Sequence, residues 1–137
     1  MGVKVNLVAV LVSLLVSAVI GMVWYSPKVF GRTWVKLAKI DPKKGDMKMS
    51  MISVFVSGFI MAYVLAHLTY LSNRFFGHSY MQDALTTGFW VWLGFQGLRM
   101  FMHDQFNQRK QKESLIHIGN DFVTIMAMAA VIGAFGI

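Results

Sequence analysis

The chain has 137 residues, 56% of them hydrophobic and 14% charged, a formal net charge of +7 and no cysteine. Four apolar runs leave too few residues for a separate soluble domain, and the missing cysteines exclude disulfides, thiolate metal sites, iron–sulfur ligation and thiol catalysis. The chain is predicted to be a single domain: an all-α integral membrane bundle of four transmembrane helices over 5–25, 49–71, 81–102 and 115–137. A short amphipathic interfacial helix is predicted at about 27–40. Each run is about 21 to 23 residues long, and at ~1.5 Å rise per residue spans the ~30 Å hydrocarbon core of a bilayer. No segment alternates apolar and polar residues as a barrel wall requires.

The first run, Val5 to Tyr25, carries no charge. Only Lys4 precedes it, and bulky Trp24 and Tyr25 end it where a cleaved signal would place small residues, so this helix is expected to be retained. Ala9, Ser13, Ser17 and Gly21 recur every fourth position and offer a face for close backbone approach. Trp24 and Tyr25 suit a headgroup boundary, Pro27 breaks the helix and starts the next, and Gly31 permits close approach beneath the bundle. At about 100° per residue from Pro27, Lys28, Arg32, Lys36 and Lys39 share one side, while Phe30, Trp34, Leu37 and Ala38 share the other. That pattern predicts a helix lying in the interface, closed by Asp41-Pro42, with its basic face toward anionic headgroups. Each well-placed cation there contributes about 1 kcal/mol. An ordered anchor without lipid recognition is the leading reading of this helix, ahead of specific lipid binding.

The second run, Met49 to Leu71, repeats the small-residue pattern at Ser53 and Ser57 and at Gly58, Ala62 and Ala66. His67 reads as a packing or lipid-boundary group, and His78 as a loop residue. Met47, Met49 and Met51 alternate, but no histidine or cysteine nearby completes a copper site. The third run, Met81 to Met102, holds Trp90, Trp92 and Gln96, with Arg99 near its end and His103-Asp104 just beyond. The fourth, Leu115 to Ile137, pairs Ala129 with Gly133 and Ala130 with Ala134, and contains His117 and Asp121.

A carboxylate in such a run costs about 2.5–3.5 kcal/mol on insertion scales, so Asp121 needs a partner. His117 lies four residues earlier, Asn120 is adjacent, and a short loop folds Arg99 and Gln96 back to similar depth. The expectation is an intramembrane polar cluster of Arg99, Gln96, His117, Asn120 and Asp121, acting as a structural ion pair or as a proton or ion relay. His103, Asp104, His117 and Asp121 are chemically suited to zinc or iron, but their spacing matches no metal signature, and no metal or cofactor is assigned. His67 and His117 fall at different depths and cannot share a haem iron. No phosphate-binding loop, nucleophile motif or paired-carboxylate constellation occurs, so no catalytic residue and no enzymatic activity are expected.

Charge encodes orientation. The loop from Ser26 to Lys48 carries Lys28, Arg32, Lys36, Lys39, Lys43, Lys44 and Lys48, and the loop after the third run adds Arg109, Lys110 and Lys112, ten of the thirteen basic residues. The positive-inside rule places both loops in the cytoplasm and both termini outside the cell membrane. With no folded basic domain, nucleic acid is not an expected partner.

The segment from Gly21 through Trp24, Tyr25, Ser26, Pro27, Phe30 and Gly31 to Trp34 resembles the signature of a small bacterial and archaeal membrane family, the domain of unknown function 1761 family. Asn6, the Trp92-Leu93-Gly94-Phe95 stretch and the Leu115-Ile116-His117-Ile118-Gly119 stretch extend the resemblance over nearly the whole chain. Asn120-Asp121 depart from the aromatic and neutral polar pair expected in the family. The resemblance implies four transmembrane helices and supplies no activity. Two readings of function follow. The chain is either a structural or accessory subunit packing its small-residue seams against itself or a larger membrane complex, or a homo-oligomeric small transporter or channel using the Asp/His/Arg cluster. The accessory reading is the leading one, because the outer halves of the helices offer few polar groups.

Overall fold

The computed structural model describes residues 2–137, which among themselves form helices and turns and no strand. α1 spans Leu7–Trp24 and starts where the Asn6 side chain accepts from the Val8 and Ala9 N–H groups, satisfying donors that a helix start leaves free. α2 spans Gly31–Ala38. A 3₁₀ turn at Pro42–Lys44 leads to Asp46, which caps α3, Met47–Phe76. α3 ends at Gly77, whose φ of +70° is the left-handed conformation that glycine adopts without steric cost. α4 spans Tyr80–Val91, a π-helical turn covers Trp92–Gly97, α5 spans Leu98–Phe106 and α6 spans Gln111–Phe135.

Two sequence expectations change here. α1, α3 and α6 are each long and apolar enough to cross a membrane by themselves. The predicted third span does not form one α-helix, because the π turn divides it into α4 of 12 residues and α5 of 9. The widened turn seats the Trp92 indole over Gly97, where a Cβ would lie 3.1 Å from the ring. The predicted helix at about 27–40 is also shorter. Pro27 does not start it; the chain turns first, with the Phe30 N–H donating to the Trp24 carbonyl and the Gly31 N–H to the Ser26 carbonyl. Lys28 therefore precedes α2, and Lys39, at φ +53°, terminates it.

α6 packs against α1 and α4, and α3 packs against the same two, so the long segments form a bundle. Its core is Val10, Ala62, Leu65, Ala66, Ile125, Met128, Ala129 and Ile132. Most of the predicted small-residue seams are used inside the chain. Ala9 and Ser13 are fully buried, and the Ser13 hydroxyl donates to the Met128 carbonyl at 3.4 Å. Gly58 lies under Leu14 and Ser17, and Gly88 faces Ala129 and Ile125. Ser53 and Ser57 remain exposed. At the α3–α4 turn, buried Asp83 accepts from the Asn73 amide at 2.8 Å and lies 3.0 Å from His78 Nδ1, so His78 helps lock the turn.

Closeness of this kind gives a direct test. At Gly133 an added Cβ would come within 2.8 Å of the Met81 Cα, a backbone atom that cannot rotate away, whereas at Gly94 it would meet nothing within 4 Å. Gly133→Ala should therefore lose about 1–3 kcal/mol through overpacking, while Gly94→Ala should be neutral or slightly stabilising. Thermal unfolding in detergent compares the two, and equal melting temperatures would contradict this packing.

Candidate functional site

The corner between α1 and α2 docks onto the start of α6. Trp24 Nε1 donates to the Ile116 carbonyl at 3.0 Å, and its ring lies over Gly119, where a Cβ would approach to 3.2 Å. The Tyr25 hydroxyl is 2.6 Å from His117 Nδ1. Trp34, carried by α2, meets Tyr25 edge-on with centroids 5.0 Å apart and His117 at 6.2 Å, arrangements in which aromatic edges meet electron-rich faces. The Trp-Tyr-Ser-Pro corner and the Leu-Ile-His-Ile-Gly stretch thus form one contact. Gly31 is indispensable to it, since any Cβ there would collide with the Tyr25 carbonyl and the Ser26 backbone.

From His117 a line of charged groups runs to the α5–α6 turn. His117 Nε2 faces Glu113 Oε1 at 3.9 Å, Arg109 Nε lies 3.5 Å from the same oxygen, and Arg109 Nη1 lies 3.3 Å from Asp104 Oδ1. Assigning the Tyr25 hydroxyl as donor to Nδ1 leaves the ring proton on Nε2, directed toward the Glu113 carboxylate. Asp104 is 1% exposed and Glu113 8%, so Arg109 is the shared cation of two carboxylates that burial would otherwise penalise further. Sequence reading gave Arg109 only a topological role and overlooked Glu113. The i, i+4 spacing of Arg109, Glu113 and His117 was the available signal.

Asp121 stands outside this line. Of the six acidic residues, Asp41 and Asp46 accept backbone N–H groups, Asp83 is held by Asn73 and His78, and Asp104 and Glu113 are paired with Arg109. Asp121 alone has no hydrogen bond or ion pair among the described residues. The predicted cluster therefore does not close. Arg99 is exposed and makes no ion pair among the described residues. His117 turns to Tyr25 and Glu113, while Gln96 Oε1 and Asn120 Oδ1 are buried without partners. Gln96, Arg99 and Asp121 only share the lining of an open groove. The candidate metal residues are likewise dispersed. His103 lies beside Asn107, Asp104 faces Arg109, and no group of three or more metal-ligating side chains is gathered among the described residues.

Asp121 instead borders two further openings. One is a polar groove of about 420 Å³ containing Tyr25, Arg109, Glu113 and His117. The other, about 600 Å³, lies between α1, α3 and α6 and is mostly apolar.

Apolar spanning helices, an aromatic corner and a charged line at one end define a helical membrane protein. The profile of a family described as protein of unknown function, DUF1761, matches residues 8–133. The chain belongs to this family. No curated protein and no solved structure matches it.

The charged line makes its own prediction. Arg109→Ala leaves two buried carboxylates without their cation and should cost about 1–3 kcal/mol, whereas Lys110→Ala and Lys112→Ala, both exposed, should stay within about 0.5 kcal/mol. Unfolding midpoints of the three variants test this, and a neutral Arg109→Ala would remove the line from the account.

Proposed function

We propose that the chain spans the membrane four times and works through Asp121 as a small carrier or relay. In this reading α4, the π turn and α5 together make the third crossing, as one helix carrying a π turn. Such turns frequently occur at functional sites, and here the turn borders the groove shared by Gln96, Arg99 and Asp121. Both basic loops face the cytoplasm, and both termini lie outside. α2 rests in the inner leaflet with Lys28, Arg32, Lys36 and Lys39, all exposed, available to anionic headgroups.

The carrying observation is the unpaired carboxylate. A charged side chain inside a membrane helix is costly, and this protein supplies partners to every other acid while leaving Asp121 free. Asp121 also adjoins both a polar groove at the basic-loop end and a crevice toward lipid. A group bordering both openings can exchange a proton or a ligand between them. Binding and exchange, with no catalytic constellation required, is the reading the geometry favours.

A second reading, the accessory subunit or homo-oligomer, draws on one observation. Ser53 and Ser57 leave a small-residue face on α3 that no helix of this chain covers. Native mass spectrometry of protein released gently from its membranes distinguishes a lone chain, a symmetric oligomer and a complex with other polypeptides.

The Asp121 reading predicts selective chemistry. Dicyclohexylcarbodiimide, an apolar reagent for protonated carboxyl groups, should add one equivalent at Asp121 in vesicles and none in Asp121→Asn, whose melting temperature should stay close to the parent's. Labelling elsewhere, or a large loss of stability in Asp121→Asn, would make the carboxylate a structural group and end this reading.

A further inference from the structure

The crevice between α1, α3 and α6 has a chemistry that selects a ligand class. Its rim residues Met22, Val54 and Phe55 are exposed and apolar, on helix surfaces that a bilayer covers. Polar groups come chiefly from one wall. Asn120, Asp121 and Thr124 of α6 line the crevice, and the Asn120 Oδ1 and Thr124 Oγ1 atoms are buried without a hydrogen-bond partner. Asp121 is the one charged side chain among the described residues lining it.

Depth orders these groups. Trp24 meets Ile116 and Ser13 meets Met128 across the α1–α6 contact, so Asn120 and Asp121 lie level with Gly21, near the basic-loop end, and Thr124 lies deeper. The rings of Tyr25 and Trp34 and the thioethers of Met22, Met47 and Met51 line the same end, while Met61 and Met128 line the deep end. The head of the crevice thus combines a carboxylate, the unmatched Asn120 Oδ1 and aromatic rings, and its far end is apolar. An anion would meet the Asp121 charge, and a neutral chain would leave the acceptors unmatched. A cation with an apolar tail matches both ends.

We propose that this crevice binds a lipophilic organic cation, an ammonium group carried on a single alkyl chain. The inference rests on the Asp121 reading above and names the ligand for it. The probe is decylammonium, titrated calorimetrically into the full chain in phosphatidylcholine nanodiscs, with decyl sulfate and decanol as chain-matched controls. Saturable one-to-one binding of the cation is expected, at least about tenfold tighter than either control and weakened about tenfold or more in Asp121→Asn.

Gly21→Leu provides a variant independent of the charge. Gly21 lines the crevice and an added Cβ there meets nothing within 4 Å, so leucine should fill the space beside Asp121 that the ammonium head needs and abolish binding without lowering the melting temperature. Equal binding of decanol or decyl sulfate, or undiminished cation binding in both variants, would identify an ordinary lipid-filled crevice and overturn the proposal. Carbodiimide labelling of Asp121 without a preference for the cation would overturn the ligand class alone. Absence of that labelling would instead remove the reading beneath it.

Discussion

The clasp of Trp24 and Tyr25 on the first turns of α6 is the constraint on which the remaining architecture depends. α1 and α6 are distant in sequence and almost featureless in their apolar runs, so greasy side chains alone leave their relative sliding weakly determined. One indole N–H on the Ile116 carbonyl and one phenol on His117 set that register. Once it is set, Ser13 reaches the Met128 carbonyl. The polar corner acts as a vernier for the apolar interior.

The clasp also fixes the electrostatics. His117, oriented by Tyr25, presents its second nitrogen to Glu113, which shares Arg109 with Asp104. A ring held by a tyrosine on one side and a carboxylate on the other has a defined tautomer and orientation. Because the line ends in the α5–α6 turn, the corner after α1 and the turn before α6 are tied into one unit. α2 contributes through Trp34, which makes an amphipathic surface helix part of the bundle's internal bonding.

What the sequence made legible followed from periodicity and composition. The apolar runs located the long helices, Gly31 was recognised as a close-approach position, and the recurring small residues of α1 marked a packing face. The misreadings share a physical origin in geometry that strict helical periodicity does not encode. A wheel drawn from Pro27 assumed helix where Ser26 to Phe30 form a turn, and a purely α-helical third run was assumed across Gly94 and Gly97, where a π turn intervenes. His117 was matched to the nearest acid along its own helix face, although Tyr25, 92 residues away in sequence, lies within hydrogen-bond distance. Long-range polar partners of this kind leave no periodic trace.

The contrast among the acids carries the functional argument furthest. A fold that caps helices with Asp41 and Asp46, locks a turn with Asp83 and shares a single arginine between Asp104 and Glu113 has partners available for carboxylates where structure requires them. Arg99 lines the same groove as Asp121 without pairing with it among the described residues. Leaving Asp121 unmatched sacrifices stability that a partner would recover. Such a sacrifice is coherent when the missing partner arrives from outside the chain, and a carboxylate beside the unpaired Asn120 Oδ1 favours an arriving group that bears hydrogens and positive charge.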